Sequence, residues 1–484
     1  MPADDHPLEP DRLSMEAIGR AALDYAVDFV ETRSIAPATG VDDEAWVRAE
    51  SVLDDDPPEL GRPFGGLLVT IDAGVARAFD TTGPGYMAYI PGGGLYAAAV
   101  ADLVASVTNR YVNIAEPAPV LAAMEASAVR WMGRLFGYGE RSMGVLTSGG
   151  SMANLSAIVA ARTERLGERF LDGTLYVTEH THQSVAKAAM VAGLPRDAVR
   201  TVACTSDLTM EPAALAEAVG ADRSAGRRPF FVVASAGTTD TGAVDPIAAI
   251  ADLAAQERLW LHVDAAYGGF FQLTDRGRTA FAGIERADSI TLDPHKGMFL
   301  PYGTGCLLVR DGELLRRSHR VAAHYLQDLS DHPTVPNFAD YSPELSRDFR
   351  GLRVWLPLHL HGVAAFRDAL DEKLDLARML AAGLAADERI EVPWVPPLSV
   401  VAFRLRDRDD QDHRELLARI NASKRIFLSS TVIDGRVTLR ACILCHRTHR
   451  DRVEEAIEII LDACVSRAGR TRSRTGRRSS PPST

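Results

Sequence analysis

Residues 289–297, SITLDPHKG, carry the strongest chemical signal in the chain. A short apolar and β-branched run ends in Asp293, Pro294, His295 and Lys296. Burying a lysine cation costs free energy, so a lysine at the tip of a buried strand calls for a reason. A carbonyl cofactor is one: a desolvated amine loses its proton easily and forms a Schiff base. The plainer alternative is a strand that reaches the surface and turns at Pro294. Further upstream, residues 260–269 read WLHVDAAYGG, and Asp264 ends a strand too apolar for an idle carboxylate. A buried Asp needs a cationic or hydrogen-bonding partner. A pyridinium nitrogen would serve, and a ring kept protonated is an electron sink for a carbanion. A helix cap or an ion pair would also satisfy Asp264. Ala265 and Ala266 are small enough for a flat ring to lie against them.

Two more stretches end in polar residues. In TSGGSMANL, residues 147–155, Gly149 and Gly150 let backbone N–H groups approach an anion. The helix predicted to begin at Ser151 aims its dipole at that anion, and Ser151 can cap the helix and donate to a phosphate. A plain capped turn fits the same residues. The pattern is not GxxxxGK[ST], so a nucleoside triphosphate site is disfavoured. In HTHQSV, residues 180–185, His182 can stack on a ring opposite Ala266 or serve as a structural histidine. The His180/His182 doublet has no partners at zinc spacing, and no metal is expected.

The elements that must position these residues alternate. Short apolar runs at 143–146, 174–177, 230–234, 260–263 and 289–292 leave room for crossover helices such as 151–162 and 247–257. This predicts a mainly parallel, doubly wound α/β sheet, with ligands beyond the carboxyl ends of the strands. Before it, a helical period over 13–33 (Met15, Ile18, Ala22, Ala26, Phe29) and a second over 64–79 predict an N-terminal helical segment. A glycine-rich loop at 81–94 follows. After it, a helix from Arg353 to about Ala386 precedes strands at 399–405 and 436–443 and helices at 414–420 and 450–463. The expected division is 1–95 helical, 96–355 large α/β domain, 356–465 smaller α+β domain and 466–484 a solvated basic tail. His359 and His361 fall on a helix and read as structural.

Net charge is −12, which argues against a general polyanion binder, although the arginine-rich tail keeps a nucleic-acid role as a rival reading. The N-terminus lacks an apolar signal region, and no apolar run is long enough to span a bilayer, so cytoplasm is the expected compartment. The five cysteines are then expected as thiols. Residues 442–446, CILCH, fit the haem-attachment pattern literally, but they lie in a strand-like run without an export signal, so chance is the better reading.

Taken together, TSGGSMANL, HTHQSV, GTTDTGAVD, HVDAAYGG, DPHKG and STVIDGRVTLR, in that order, resemble the pyridoxal-phosphate (PLP) decarboxylases of the aromatic amino acid and glutamate decarboxylase family. The resemblance spans roughly Leu13 to Ala463. It implies an aspartate-aminotransferase-like fold (PLP fold type I), with an N-terminal helical flap, a large PLP domain and a small domain. It also implies a homodimer with the site at the interface. Lys296 would then carry the cofactor, Asp264 pair with the pyridine nitrogen, His182 stack on the ring and Ala266 pack beneath it. Gly150, Ser151 and His295 would hold the phosphate, with Thr239 near the ring oxygen or the substrate. Tyr325 matches a loop tyrosine that donates a proton after CO2 leaves, and Tyr89, Ile90 and Pro91 match a substrate-contacting stretch. The implied reaction is decarboxylation of an L-amino acid, aromatic slightly favoured. Rivals on the same scaffold are oxidative deamination to an aldehyde, another lyase reaction, or PLP binding with little catalysis. Two residues depart from the animal aromatic decarboxylases: Asp293 and Gly297 stand where those often have Asn and Trp.

Overall fold

A computed structural model describes residues 8–53, 55–321 and 332–465. Tyr325 and the basic tail lie outside the described residues. Seven strands, β1 (Met143–Thr147), β2 (Gly173–Thr178), β3 (Val199–Val202), β4 (Arg228–Ser235), β5 (Trp260–Ala265), β6 (Ser289–Leu292) and β7 (Gly305–Val309), form one sheet in the order β1-β7-β6-β5-β4-β2-β3. The pairs from β3 through β6 are parallel, and β7 runs antiparallel to both β6 and β1. β1 therefore points the same way as β2, β4, β5 and β6. The carboxyl ends of all five meet at one edge, which is where a doubly wound sheet binds its ligand.

The sheet is covered on both faces: β5, β6 and β7 are buried along their whole lengths. Such runs read as continuous rather than alternating because helices cover both sides. Five helices precede the helix at the heart of the site: α1 (Arg12–Glu31), α2 (Asp43–Leu53), α3 (Phe64–Val75), α4 (Tyr96–Thr108) and α5 (Pro119–Leu135). That next helix, α6 (Gly150–Leu166), presents Ala153, Ala157, Ala160 and Ala161 fully buried. Small side chains there let it lie close to the strands.

The smaller sheet is wholly antiparallel, in the order β10-β11-β9-β8, from β8 (Ile390–Glu391), β9 (Val400–Leu405), β10 (Ser429–Ile433) and β11 (Arg436–Cys442). Two of its strands, β8 and β10, carry no strong apolar pattern, and the sequence predicted only the other two. The segment between α3 and α4 is stitched onto this sheet. Phe427 N–H donates to Gly85 O (2.9 Å), Met87 N–H to Phe427 O (3.0 Å) and Cys442 N–H to Met87 O (2.8 Å).

α1, α2 and α3 bury no residue within the chain. The helical periods of α1 and α3 are those the sequence predicts over 13–33 and 64–79, while α2 was not predicted; among the described residues the apolar faces of these helices meet no core of their own. Leu13, Trp46, Leu53 and Val69 are each more than two-thirds exposed. His359 lies on the helix Arg350–Ala385, where its Nδ1 faces Trp355 O at 2.8 Å and its ring stacks on the indole. Cys442 and Cys445 are free, buried thiols, and burial pushes Cys442 up to about 12. A buried thiol so hard to ionise is a poor redox nucleophile.

Candidate active site at the strand ends

Gly150, Ser151, His182, Thr239, Asp264, Ala266, His295 and Lys296 all line one cavity of about 270 Å³. They come from five separate strand ends, so the parallel sheet alone brings them together. Tyr89, Ile90 and Pro91 are not among its lining residues. They lie on the neighbouring loop, where a Cβ on Gly92 would sit 3.2 Å from His295 O and 3.1 Å from the Tyr302 ring. Tyr89 holds φ +51° in the left-handed region, with its N–H on Ser429 Oγ (3.1 Å) and its carbonyl on Arg440 Nη2 (2.8 Å).

Asp264 is 8% exposed and, among the described residues, has neither the ion pair nor the capping role weighed for it. Its Oδ1 accepts from Ala266 N–H (3.1 Å) and its Oδ2 from Asn154 Nδ2 (3.0 Å). Asn154 is 1% exposed and orients this corner. Its amide nitrogen also donates to Ser184 Oγ (3.0 Å), and its carbonyl accepts from Thr291 Oγ1 (2.7 Å) and His262 Nε2 (3.0 Å). Because that carbonyl can only accept, His262 carries its proton on Nε2. Its Nδ1 then accepts from Ser289 Oγ (2.7 Å), which in turn accepts from Trp260 Nε1 (2.8 Å). Burial pushes His262 down to about 4, so the ring is neutral at pH 7. On the other side Ser184 Oγ meets His182 Nδ1 at 2.8 Å, and Ser184 N–H also points at that nitrogen (3.3 Å). One chain of hydrogen bonds thus runs from Asp264 through Asn154 and Ser184 to His182.

His180 turns away from His182. Its Nδ1 lies 3.2 Å from Asp240 Oδ2, and its side chain gathers with those of Glu179 and Cys204.

The glycine turn differs from expectation in one detail. Gly149, not Ser151, is the cap residue of α6, and no side chain caps it. Ser151 is the second helical residue, exposed at the cavity. Gly150 has little room beside it: a Cβ there would crowd Ala266 Cβ and Asp293 Oδ2, each at 3.2 Å. A side chain at 150 would fill the cradle where the first N–H groups of α6 converge.

Lys296 also departs from the expectation of an easily deprotonated amine. Burial does push its ammonium down, but Asp293 Oδ2 stands 2.8 Å from Nζ, and that carboxylate, with Asp264 behind it, holds the lysine above its ordinary value. Sequence reasoning recorded Asp293 only as a departure and passed over Asn154 and Ser184. The signal for Asn154 was present: an amide on the alanine face of a buried helix must have its polar atoms matched.

These residues fit pyridoxal 5'-phosphate. The set comprises a primary amine, a carboxylate with lone pairs facing the cavity, an imidazole at the opening and a side-chain-free anion cradle. The family described as "Pyridoxal-dependent decarboxylase conserved domain" matches residues 49–406. An aromatic-L-amino-acid decarboxylase from Bacillus atrophaeus is 32% identical over 456 residues, covering 92% of this chain and 94% of that one. Tryptophan decarboxylase 1 of Oryza sativa subsp. japonica is 29% identical, with 91% of each chain covered. The crystal structure of Oryza sativa TDC with PLP and tryptamine superposes with a TM-score of 0.88 at 28% identity, over 95% of this chain and 99% of that one. With an α/β architecture of this type and a family match across most of its length, the chain belongs to the pyridoxal-dependent decarboxylases, carboxy-lyases that act on amino acids with pyridoxal 5'-phosphate.

Proposed function

We propose that the substrate is an aromatic L-amino acid and the product its amine. The observation that carries the assignment of roles is the meeting of all eight cofactor candidates around one cavity. The aromatic preference is supported by the relatives' substrates. Bound here, the cofactor supplies an aldehyde for an amine and a protonated ring that accepts the electron pair left by departing CO2.

The chain's own residues do the rest. Lys296 supplies the attachment point. Asp264, held by Asn154 and Ala266 N–H, keeps a proton on the pyridine nitrogen. His182 covers one ring face and Ala266 supports the other, while Gly150, Ser151 and His295 hold the phosphate and Thr239 the ring oxygen or the substrate. Tyr89, Ile90 and Pro91 contribute to the substrate wall. The wall must hold the scissile carboxylate perpendicular to the ring without solvating it strongly, because only interactions stronger in the transition state accelerate the step. Tyr325 is assigned the protonation of the α-carbon.

The same reading takes residues 1–95 as a dimerisation flap, 96–355 as the cofactor domain and 356–465 as the small domain. A second copy of the chain covers the apolar faces of α1, α2 and α3, and the homodimer works in the cytoplasm. Among the described residues no helix is long and apolar enough to cross a membrane.

The test is to incubate the protein and cofactor with each amino acid, identify products by mass, and reduce a parallel sample with borohydride. The expected outcome is an arylalkylamine with a pyridoxyl mass on the Lys296 peptide. Amine from glutamate alone would overturn the substrate class, and label on another lysine would overturn the site.

A further inference from the structure

The turn that delivers Lys296 also delivers a carboxylate that the decarboxylation does not require. Asp293 is 2% exposed, and among the described residues its Oδ1 has no hydrogen-bond partner. Its Oδ2 lies 2.8 Å from Lys296 Nζ and 3.6 Å from His295 Nε2. His295 cannot share the load while neutral: its Nδ1 faces Thr304 O at 2.7 Å, so the proton sits there and Nε2 offers only a lone pair. Burial lowers His295 and favours that neutral ring. The other titratable or charged groups facing this pair are Asp264, Tyr302 and Cys442 toward the amine, Cys306 toward the carboxylate and Arg353 behind His295. Lys296 is therefore the one cation within hydrogen-bonding distance of Asp293 among the described residues. An uncompensated carboxylate this deep is strongly destabilising, as is the breaking of any buried pair.

We propose that Asp293 is a positioning residue that holds the uncondensed Lys296 as an ammonium ion and takes up its proton when the amine reacts. This rests on Lys296 being the cofactor lysine. The step balances. Lys–NH3⁺ and Asp–COO⁻ become Lys–NH2 and Asp–COOH. The amine nitrogen then adds to the cofactor's aldehyde carbon and one water leaves, with no change in oxidation state. The neutral acid left behind suits its surroundings, because Asp293 Oδ2 borders the Gly150 cradle, 3.2 Å from where a Cβ would lie. A carboxyl group without charge does not repel a phosphate there.

The experiment follows covalent loading of cofactor-free protein at saturating pyridoxal 5'-phosphate from pH 6 to pH 10. Loading is read by visible absorbance and by the borohydride-fixed mass on the Lys296 peptide. Wild-type loading is expected to accelerate with rising pH as the ammonium is lost. In Asp293→Asn the burial of the amine is opposed only by the weaker pull of Asp264 and Tyr302. Loading at pH 7 should then be at least about tenfold faster than wild type, with a flatter pH profile. Asp293→Glu, which keeps the charge, should retain the wild-type profile. Asp293→Ser carries the same expectation as Asn should the amide variant not fold. Superimposable profiles with the label on Lys296 would overturn this inference and leave the cofactor lysine standing. Absence of label on Lys296 in every protein would overturn both.

Discussion

Asn154→Asp exchanges one amide nitrogen for oxygen at the centre of the hydrogen-bond chain. The exchange puts a second carboxyl group 3.0 Å from Asp264 Oδ2, where Asn154 is 1% and Asp264 8% exposed. At that distance and an effective dielectric constant of about 20, two carboxylates repel by roughly 5 kcal/mol, or about four pH units. The new carboxyl should thus keep its proton up to about pH 8, against about pH 4 in the unfolded chain. Between those limits the native state holds a proton that the unfolded state has released, so stability relative to wild type falls as pH rises. The gap should widen by about 1.4 kcal/mol per pH unit and reach roughly 4 kcal/mol at pH 7. Urea unfolding of both cofactor-free proteins at pH 5, 6, 7 and 8 measures it. At pH 5 the protonated side chain can still donate to Asp264, so cofactor binding should survive there and weaken toward pH 8. A difference in unfolding free energy that stays flat across this range would refute the assigned contact between Asn154 and Asp264.

Asp264→Asn keeps the shape but removes the charge, so cofactor should still bind while turnover falls by roughly 10²-fold or more; near-normal turnover would move the electron-sink role elsewhere. His262 titrates at about 4 in the fold against an ordinary 6.5, a lowered base, so the unfolded state takes up the proton first as pH falls. Its contribution is complete above about pH 6.5 and lost by about pH 4, worth roughly 3 kcal/mol, and His262→Gln should flatten the acid limb of stability by that amount. Tyr325→Phe should lower amine yield and raise aldehyde, ammonia and peroxide with oxygen uptake, read on an oxygen electrode beside product mass spectrometry. Wild-type amine formation without oxygen uptake would remove Tyr325 from the proton transfer.

The convergence of the candidate site residues was legible because of how parallel strands end. Once the runs ending at Thr147, Thr178, Ser235, Ala265 and Leu292 are taken as parallel, their successors share one edge whatever the helices do. What escaped depends on three-dimensional partners. β7 is a short apolar run flanked by glycines, and nothing in GCLLV states that it runs backward between β1 and β6. β3 is a four-residue strand bearing Arg200, too short and polar for an apolar count to detect. The periods of α1 and α3 reveal an apolar face but not whose surface meets it. The sign of the Lys296 shift was missed because desolvation was weighed without the carboxylate that the turn folds back onto the amine.

The stitching of residues 85–89 has a mechanical consequence. Three backbone hydrogen bonds, with Tyr89 bonded in addition to Ser429 and Arg440, fasten this stretch to the antiparallel sheet. A few residues on, Leu95 N–H bonds Phe299 O (2.8 Å), just past Lys296. The segment is a tie rod with one end on the small sheet and the other on the lysine turn. Any rotation of that sheet either drags residues 85–91 with it or breaks the tie, at about 0.5–1.5 kcal/mol for each hydrogen bond. The position of the lysine turn is thereby coupled to the carboxyl-terminal third of the chain.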